Sequence, residues 1–365
     1  MTQKHLIRIA VCCLLIALPI GLFVNTRAQR TAPTRPDDQR APAKYRISGP
    51  YTHKNLTVFL VHGKDQLPGK NFLTLQEALA QKKVRVYETK DVNELAIRNL
   101  SNQDVYVQAG DIVRGGDQDR MISVDFIVPP RSGRMPIAAF CVESGRWSQR
   151  GAEQSAFFSS SENSASTKAL KLAAKGVAGV AGVTGEGGAG GGSQEAVWEN
   201  VSVAQAKLGK NLNVDVRAPM SRSSFELTVE NTAVKENTAS YIQALDDILR
   251  NKPDVIGYAF AINGHVNSAD VYASHALFAK LWPKLLKATA VEALAELNAE
   301  AKTEPVANET IDGFLTGSEQ PQAKSKEVTR RVRMVTREDD QNVFFETQDR
   351  QQKDAWVHRN YIRKN

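Results

Sequence analysis

Cysteine is scarce in this chain of 365 residues, which holds only three. Cys12 and Cys13 lie inside an N-terminal apolar run, which leaves Cys141 without a partner in the rest of the chain. An intramolecular disulfide framework is therefore excluded, and stability has to come from a hydrophobic core. A folded domain with a strong excess of one charge is lacking as well. The formal net charge is +7, but Lys4, Arg8 and Arg27 sit in the first 28 residues. Arg30, Arg35, Arg40, Lys44 and Arg46 follow, opposed there only by Asp37 and Asp38, so the remainder is close to neutral. Nucleic-acid binders concentrate cations on the folded domain, so nucleic acid is not an expected partner. No segment has the spacing of a zinc motif, a nucleophile elbow or a Walker-type phosphate loop, and there is no internal repeat. No cofactor and no metal is implied.

Residues 1–28 read as a signal peptide. Lys4 and Arg8 stand without an acid, Ile9 to Val24 is almost unbroken apolar sequence, and Thr26, Arg27 and Ala28 form a small-x-small cleavage pattern. The apolar run is shorter than the roughly 20 residues of a spanning helix, and it contains Pro19 and Gly21. Cleavage and an exported protein, periplasmic or secreted, are the expectation. The alternative is an anchor formed by the uncleaved segment, which is the only membrane contact expected. Cysteines inside the run rather than just after it argue against a lipid anchor. Residues 29–50, rich in proline, arginine and polar side chains without apolar periodicity, read as a disordered tether.

Residues 51–365 are expected to form a single α+β domain, an antiparallel β-sandwich or partly rolled barrel with flanking helices. Strands are predicted at Leu56–His62, Val84–Thr89, Glu94–Asn99, Val105–Gln108, Arg120–Val128 and Ile137–Glu143, interrupted by a helix over Leu75–Gln81 with Thr74 and Glu77 at capping-box spacing. Residues 159–194 read as a flexible Ser/Gly-rich insertion with a short helix around Thr167–Lys175. Helical periodicity marks Ala196–Leu208, Ser240–Leu249 and Ser274–Ala299, the last containing Pro283, expected to kink or restart it. Val255–Ile262 and His265–Tyr272 flank Asn263 and Gly264, the dipeptide best suited to a type I′ hairpin. Residues 301–324 read as a polar connection. Val328–Thr336, Val343–Thr347 and Trp356–Ile362 complete the strands, the last expected to return to the sheet.

Four segments, Gln108–Arg120 (QAGDIVRGGDQDR), Val128–Pro130, Cys141–Trp147 (CVESGRW) and Gly257–His265 (GYAFAINGH), together resemble the ARPP-1 domain, the ADP-ribosylglycohydrolase and rhodanese-phosphatase-superfamily-associated family. The resemblance spans most of residues 50–300 and implies fold more than activity.

Two segments attract a binding hypothesis. Arg114, Asp117, Gln118, Asp119 and Arg120 surround Gly115 and Gly116, where the backbone can approach an anion or polar ligand while the side chains offer forked donors and carboxylate acceptors; a self-paired polar turn is the alternative. Asp117 and Asp119 would suit calcium, but no further acids lie nearby in sequence. Glu143, Arg146 and Trp147 form a second cluster, with arginine stacked on the indole or paired with the carboxylate. Cys141 followed five residues later by Arg146 is similar to the anion-cradling loop of rhodaneses, though a buried small hydrophobe is the commoner fate of a free cysteine. His265, with Asp270 on the same strand, is a candidate acid/base on a cleft wall or a solvent-facing hairpin residue. The leading expectation is a non-catalytic or accessory module binding a small polar ligand or a protein through the two segments. The alternative is a hydrolase or transferase acting on phosphate-, ADP-ribose- or sulfur-bearing small molecules, with Cys141 or the acidic Asp117–Asp119 loop at its centre and Cys141 and His265 as the catalytic candidates.

Overall fold

Asn263 and Gly264 both adopt left-handed backbone angles, with φ of 51° and 78°, as a two-residue type I′ turn requires. The hairpin that they close, Val255–Ile262 with His265–Tyr272, is the centre of the structure. The computed structural model describes residues 44–364 apart from 152, 154, 166, 178–191, 299, 302 and 303. Residues 1–43, where a signal peptide and most of a tether are expected, and most of the glycine tract lie outside the described residues.

In chain order the elements are β1 (Arg46–His53), β2 (Leu56–His62), β3 (Leu73–Thr74), α1 (Leu75–Ala80), β4 (Val84–Asp91), β5 (Glu94–Asn99), β6 (Val105–Val107), β7 (Asp111–Gly115), β8 (Arg120–Ile122), β9 (Phe126–Val128), β10 (Met135–Cys141), β11 (Phe158–Ser164), α2 (Lys168–Lys175), α3 (Gln194–Leu212), α4 (Phe225–Val229), α5 (Thr232–Leu245), β12 (Val255–Ile262), β13 (His265–Tyr272), α6 (His275–Ala295), α7 (Asn308–Ser318), β14 (Lys324–Glu327), β15 (Val332–Glu338), β16 (Asn342–Asp349) and β17 (Ala355–Arg363). They form a single α+β domain of mostly antiparallel sheets, one of them curled into a half-barrel.

The largest sheet runs β1-β2-β12-β13-β17-β16-β15-β14. A six-stranded sheet, β11-β7-β8-β10-β5-β4, and a three-stranded one, β3-β6-β9, complete the scaffold. All of β12 is buried, because the sheet is covered there on both faces and an unbroken apolar strand is the sequence that such a position selects. Above it Tyr258 stacks on Phe260 and Phe278, with ring centroids 5.7 and 6.1 Å apart, and Phe278 on Tyr272 at 5.8 Å. Burying each of these rings contributes about 1.5–3 kcal/mol, and the ladder ends against His358 on β17, 4.5 Å from Tyr272.

Several expectations need revision. The tether gives way to a strand at Arg46, because β1 pairs with β2 along its length. The run expected as one strand over Arg120–Val128 is two, β8 and β9, which join different sheets. Ser159 does not open a loose insertion: β11 pairs with β7, with Ser159 exposed and Ser161 buried and donating to Glu226 at 2.7 Å. The connection over 301–324 contains α7, which buries Ile311, Phe314 and Leu315; its two glycines and lack of a side-chain N-cap hide it from propensity. α6 runs on as one element through Pro283, so the helix does not restart there. Contacts on either side hold it, since Trp282 Nε1 donates to Asp246 O at 3.2 Å and Lys284 pairs with Asp111 at 2.7 Å.

Candidate functional site

The two polar segments do meet. Pairing of β8 with β10 brings Arg120 opposite Cys141, and just beyond that register the Asp119 N–H donates to Glu143 Oε2 at 3.4 Å while Val142 N donates to Asp119 O at 3.1 Å. The meeting place is interior, not an open surface: Gln118, Asp119 and Glu143 have no exposure and Arg120 has 1%. Their charges are committed to one another. Asp119 accepts from Arg150 at 2.9 and 3.2 Å, and Glu143 accepts from Arg146 Nε at 2.7 Å. Arg114 donates to Glu230 at 2.8 Å, and Asp117 pairs with Lys90 at 2.7 Å. Burial pushes the Asp119 carboxyl up to about 6 against the pull of Arg150. Asp117 and Asp119 thus face different cations and do not converge as a calcium site would require. Trp147 is 55% exposed; the indole that supports the cluster is Trp198, whose Nε1 donates to Glu143 O at 3.1 Å. Sequence reasoning missed Arg150, which lies beyond the motif and is recruited only by the folding back of the loop after β10.

Gln118 stands out, because neither atom of its buried amide has a partner among the described residues. An unsatisfied buried amide costs about 1–3 kcal/mol. Gln118→Met, of nearly the same shape, is expected to raise stability by roughly 1 kcal/mol in urea denaturation; a fall in the midpoint would show instead that an ordered water or another group satisfies the amide.

Cys141 is fully buried, its Sγ 3.8 Å from Val92 O. Burial pushes its thiol up to about 11, with Arg120 pulling the other way. At neutral pH it is a protonated thiol in the core and not an activated nucleophile.

A second buried group centres on His358, a residue that sequence reasoning passed over. Its Nδ1 is 2.6 Å from Asp125 and its Nε2 3.0 Å from Asp270. Burial disfavours the charged ring, but the two carboxylates outweigh it and raise its pKa to about 9, so the imidazolium donates from both nitrogens. Asp125 also accepts from Thr347 at 2.8 Å and from the Ala109 N–H at 2.7 Å, and Asp270 from Asn360 at 2.8 Å. The neighbouring void, bordered by Lys171 and Lys175 of α2, is only about 20 Å³, room for one water. Asp270 is therefore tied into this group and does not join His265 on a cleft wall.

His265 itself is exposed at the hairpin tip and borders a cleft of about 1080 Å³. The cleft lies between the β12–β13 turn, the N-terminal end of α2, the C-terminal end of α6, α7 and the β15–β16 turn. Ile262, Val266, Val306 and Phe314 give it an apolar lining, and three cations, Lys168, Lys207 and Arg363, stand with three acids, Glu292, Glu296 and Asp339. Gly313 and Gly317, one turn apart on α7, both border it, and a Cβ at either would meet nothing within 4 Å. A glycine inside a helix costs about 1 kcal/mol relative to alanine, so α7 gives up stability on the face that borders the space. Glu292 is 2% exposed. Its Oε1 accepts from the Lys168 N–H at 2.7 Å and Asn267 Nδ2 at 3.1 Å, while Oε2 has no partner among the described residues. Burial raises its pKa against the pull of Lys171 and Lys168. A large, partly apolar pocket with a few converging polar groups and a perturbed acid has the features of a small-molecule site.

No curated protein and no solved structure shows significant similarity to the chain. The family model of the ARG and Rhodanese-Phosphatase-superfamily-associated Protein domain, ARPP-1, matches residues 44–362. That span opens two residues before β1, closes within β17, and takes in the polar cluster, the His358 group and nearly all of the cleft lining. The chain therefore belongs to the ARPP-1 domain family.

Proposed function

We propose that this domain is a non-catalytic ligand-binding module of an exported protein, and that its ligand is a small polar molecule with an apolar part, seated in the cleft beside the β12–β13 turn. The observation that carries the reading is the bare glycine face of α7 across a space of about 1080 Å³ from a buried, half-satisfied Glu292. The Arg114–Arg120 and Glu143–Arg146 segments then act as scaffold, their charges already paired with one another. A hydrolase or transferase centred on Cys141 is disfavoured by the burial and high pKa of the thiol.

The test is thermal shift of residues 29–365 against nucleotides, ADP-ribose, phosphosugars, thiosulfate and amino acids, run in parallel on Gly313→Phe. That variant places a ring in open space without touching the core. A compound should raise the melting temperature of the wild type and leave Gly313→Phe unmoved. Equal shifts in both proteins would place the ligand elsewhere and end the cleft reading.

A further inference from the structure

Charge in the cleft is balanced and interleaved. The lining sets Lys168, Lys207 and Arg363 against Glu292, Glu296 and Asp339. Lys207 pairs with Glu296 at 2.5 Å, and Glu292 lies near enough to Lys168 to act on its charge. Asp339 and Arg363 meet through one residue of the β15–β16 turn: the N–H of Asn342 donates to Asp339 at 2.7 Å, and its side-chain oxygen accepts from Arg363 at 3.2 Å. A ligand with a net charge of either sign would leave that balance uncompensated, so the lining selects neither an anion nor a cation over a neutral molecule.

What the lining lacks is hydrogen-bond donors at two places. Glu292, 2% exposed, leaves Oε2 without a partner among the described residues, and Asn263 leaves Oδ1 without one. The other polar atom of each side chain is committed, Glu292 Oε1 to the Lys168 N–H and to Asn267, and Asn263 Nδ2 to Glu296 O at 2.6 Å. A phosphate or carboxylate has only acceptors to offer these two oxygens, and an ammonium brings its donors at the cost of a fourth cation. A hydroxyl donates and accepts without charge, so neighbouring hydroxyls can satisfy an acid and the cation beside it together. A hydroxyl also suits Glu292 whether the acid is ionised or protonated, since it gives a proton to the one form and accepts from the other. We propose that the cleft binds a neutral saccharide, its hydroxyls on Glu292, Asn263 and the interleaved charges and its apolar C–H face or aglycone on Val306 and Phe314. The volume of about 1080 Å³ stands at the upper end of the roughly 300–1,000 Å³ of small-molecule sites and takes more than one ring. Gly313 and Gly317 leave the α7 wall bare along one helical turn, as a ring lying flat against it requires.

This inference rests on the cleft being the ligand site, and the experiment separates the two ideas. Calorimetric titration of the full chain with phenyl glucoside, phenyl galactoside and phenyl mannoside, beside phenyl glucuronide, phenyl phosphate and benzylamine, keeps the aromatic ring while the hydroxyls and the charge change. The best neutral glycoside should bind about tenfold or more tightly than any charged probe. Its affinity should hold when salt is raised from about 0.05 to about 0.5 M, because no net charge is brought into the cleft. Asn263→Gly keeps a residue suited to the left-handed turn while removing the orphaned oxygen, and should weaken that glycoside about fivefold. Gly313→Phe should abolish binding. A preference for a charged probe that Gly313→Phe removes would overturn the saccharide assignment and leave the cleft as the site, as would glycoside binding that Asn263→Gly leaves unchanged. Glycoside binding indifferent to Gly313→Phe, or no binding by any probe, would overturn both.

Discussion

Replacing His358 by glutamine is expected to destabilise the domain by about 3–5 kcal/mol, because it leaves Asp125 and Asp270 as buried carboxylates without their shared cation. Lys175 lies close enough to act on both acids, but burial pulls its own pKa down, so it replaces the imidazolium only in part. The same group imposes a pH dependence. With its folded pKa raised to about 9 against about 6.5 in the unfolded chain, His358 stays protonated in the fold where the unfolded chain has lost the proton. Its contribution is complete below about 6.5 and is lost as pH rises through about 9, a loss of roughly 3 kcal/mol across that window. Urea midpoints measured from pH 6 to 9.5 should fall for the wild type and stay level, at a lower value, for His358→Gln. Parallel curves for the two proteins would show that the ring is not charged in the fold.

Arg120→Ala is expected to cost a comparable amount, about 3–5 kcal/mol, and to do so as a loss of structure. The guanidinium is buried, donates to Val92 O at 2.7 Å and Asp91 O at 3.3 Å, and lies 3.4 Å from Glu88. Its removal leaves a void, two carbonyls short of a donor and a buried acid without its cation. Arg146→Ala should cost distinctly less, since its side chain keeps 10% exposure and Trp198 continues to hold the Glu143 carbonyl. Read as a ligand-binding arginine, Arg120 would be dispensable for folding; chemical denaturation that left Arg120→Ala within about 1 kcal/mol of wild type would restore that reading.

Much of the local structure was legible in the residues themselves. The strands Leu56–His62 and Glu94–Asn99 and both arms of the central hairpin lie at their expected bounds, because strand alternation and a type I′ turn are properties of adjacent residues. Thr74 and Glu77 form the expected capping box for the same reason: both partners lie within one helical turn. The short helix after Thr167 follows from its cap and the left-handed Gly176.

The site was less legible. The two motif segments do come together, but their spacing carries no information about depth, and depth is what turns potential binding groups into paired scaffold. Arg150, Arg114 and Glu230 complete the pairing from the loop after β10, from β7 and from the end of α4, and no local pattern announces that convergence. The cleft depends on α7, whose glycines disfavour a helix in isolation and whose helical state is held by Ile311, Phe314 and Leu315 in the core.

The α+β class, the absence of a disulfide framework, the central hairpin with its turn, several of the strands and the family motifs were readable from the residues alone, since they follow from composition and short-range chemistry. Only the tertiary structure decided which charges are buried, that His358 joins two acids 233 and 88 residues away, and that a bare glycine face lies across a cleft from Glu292. Those outcomes depend on desolvation and on contacts between distant segments, quantities that exist only once the chain has packed.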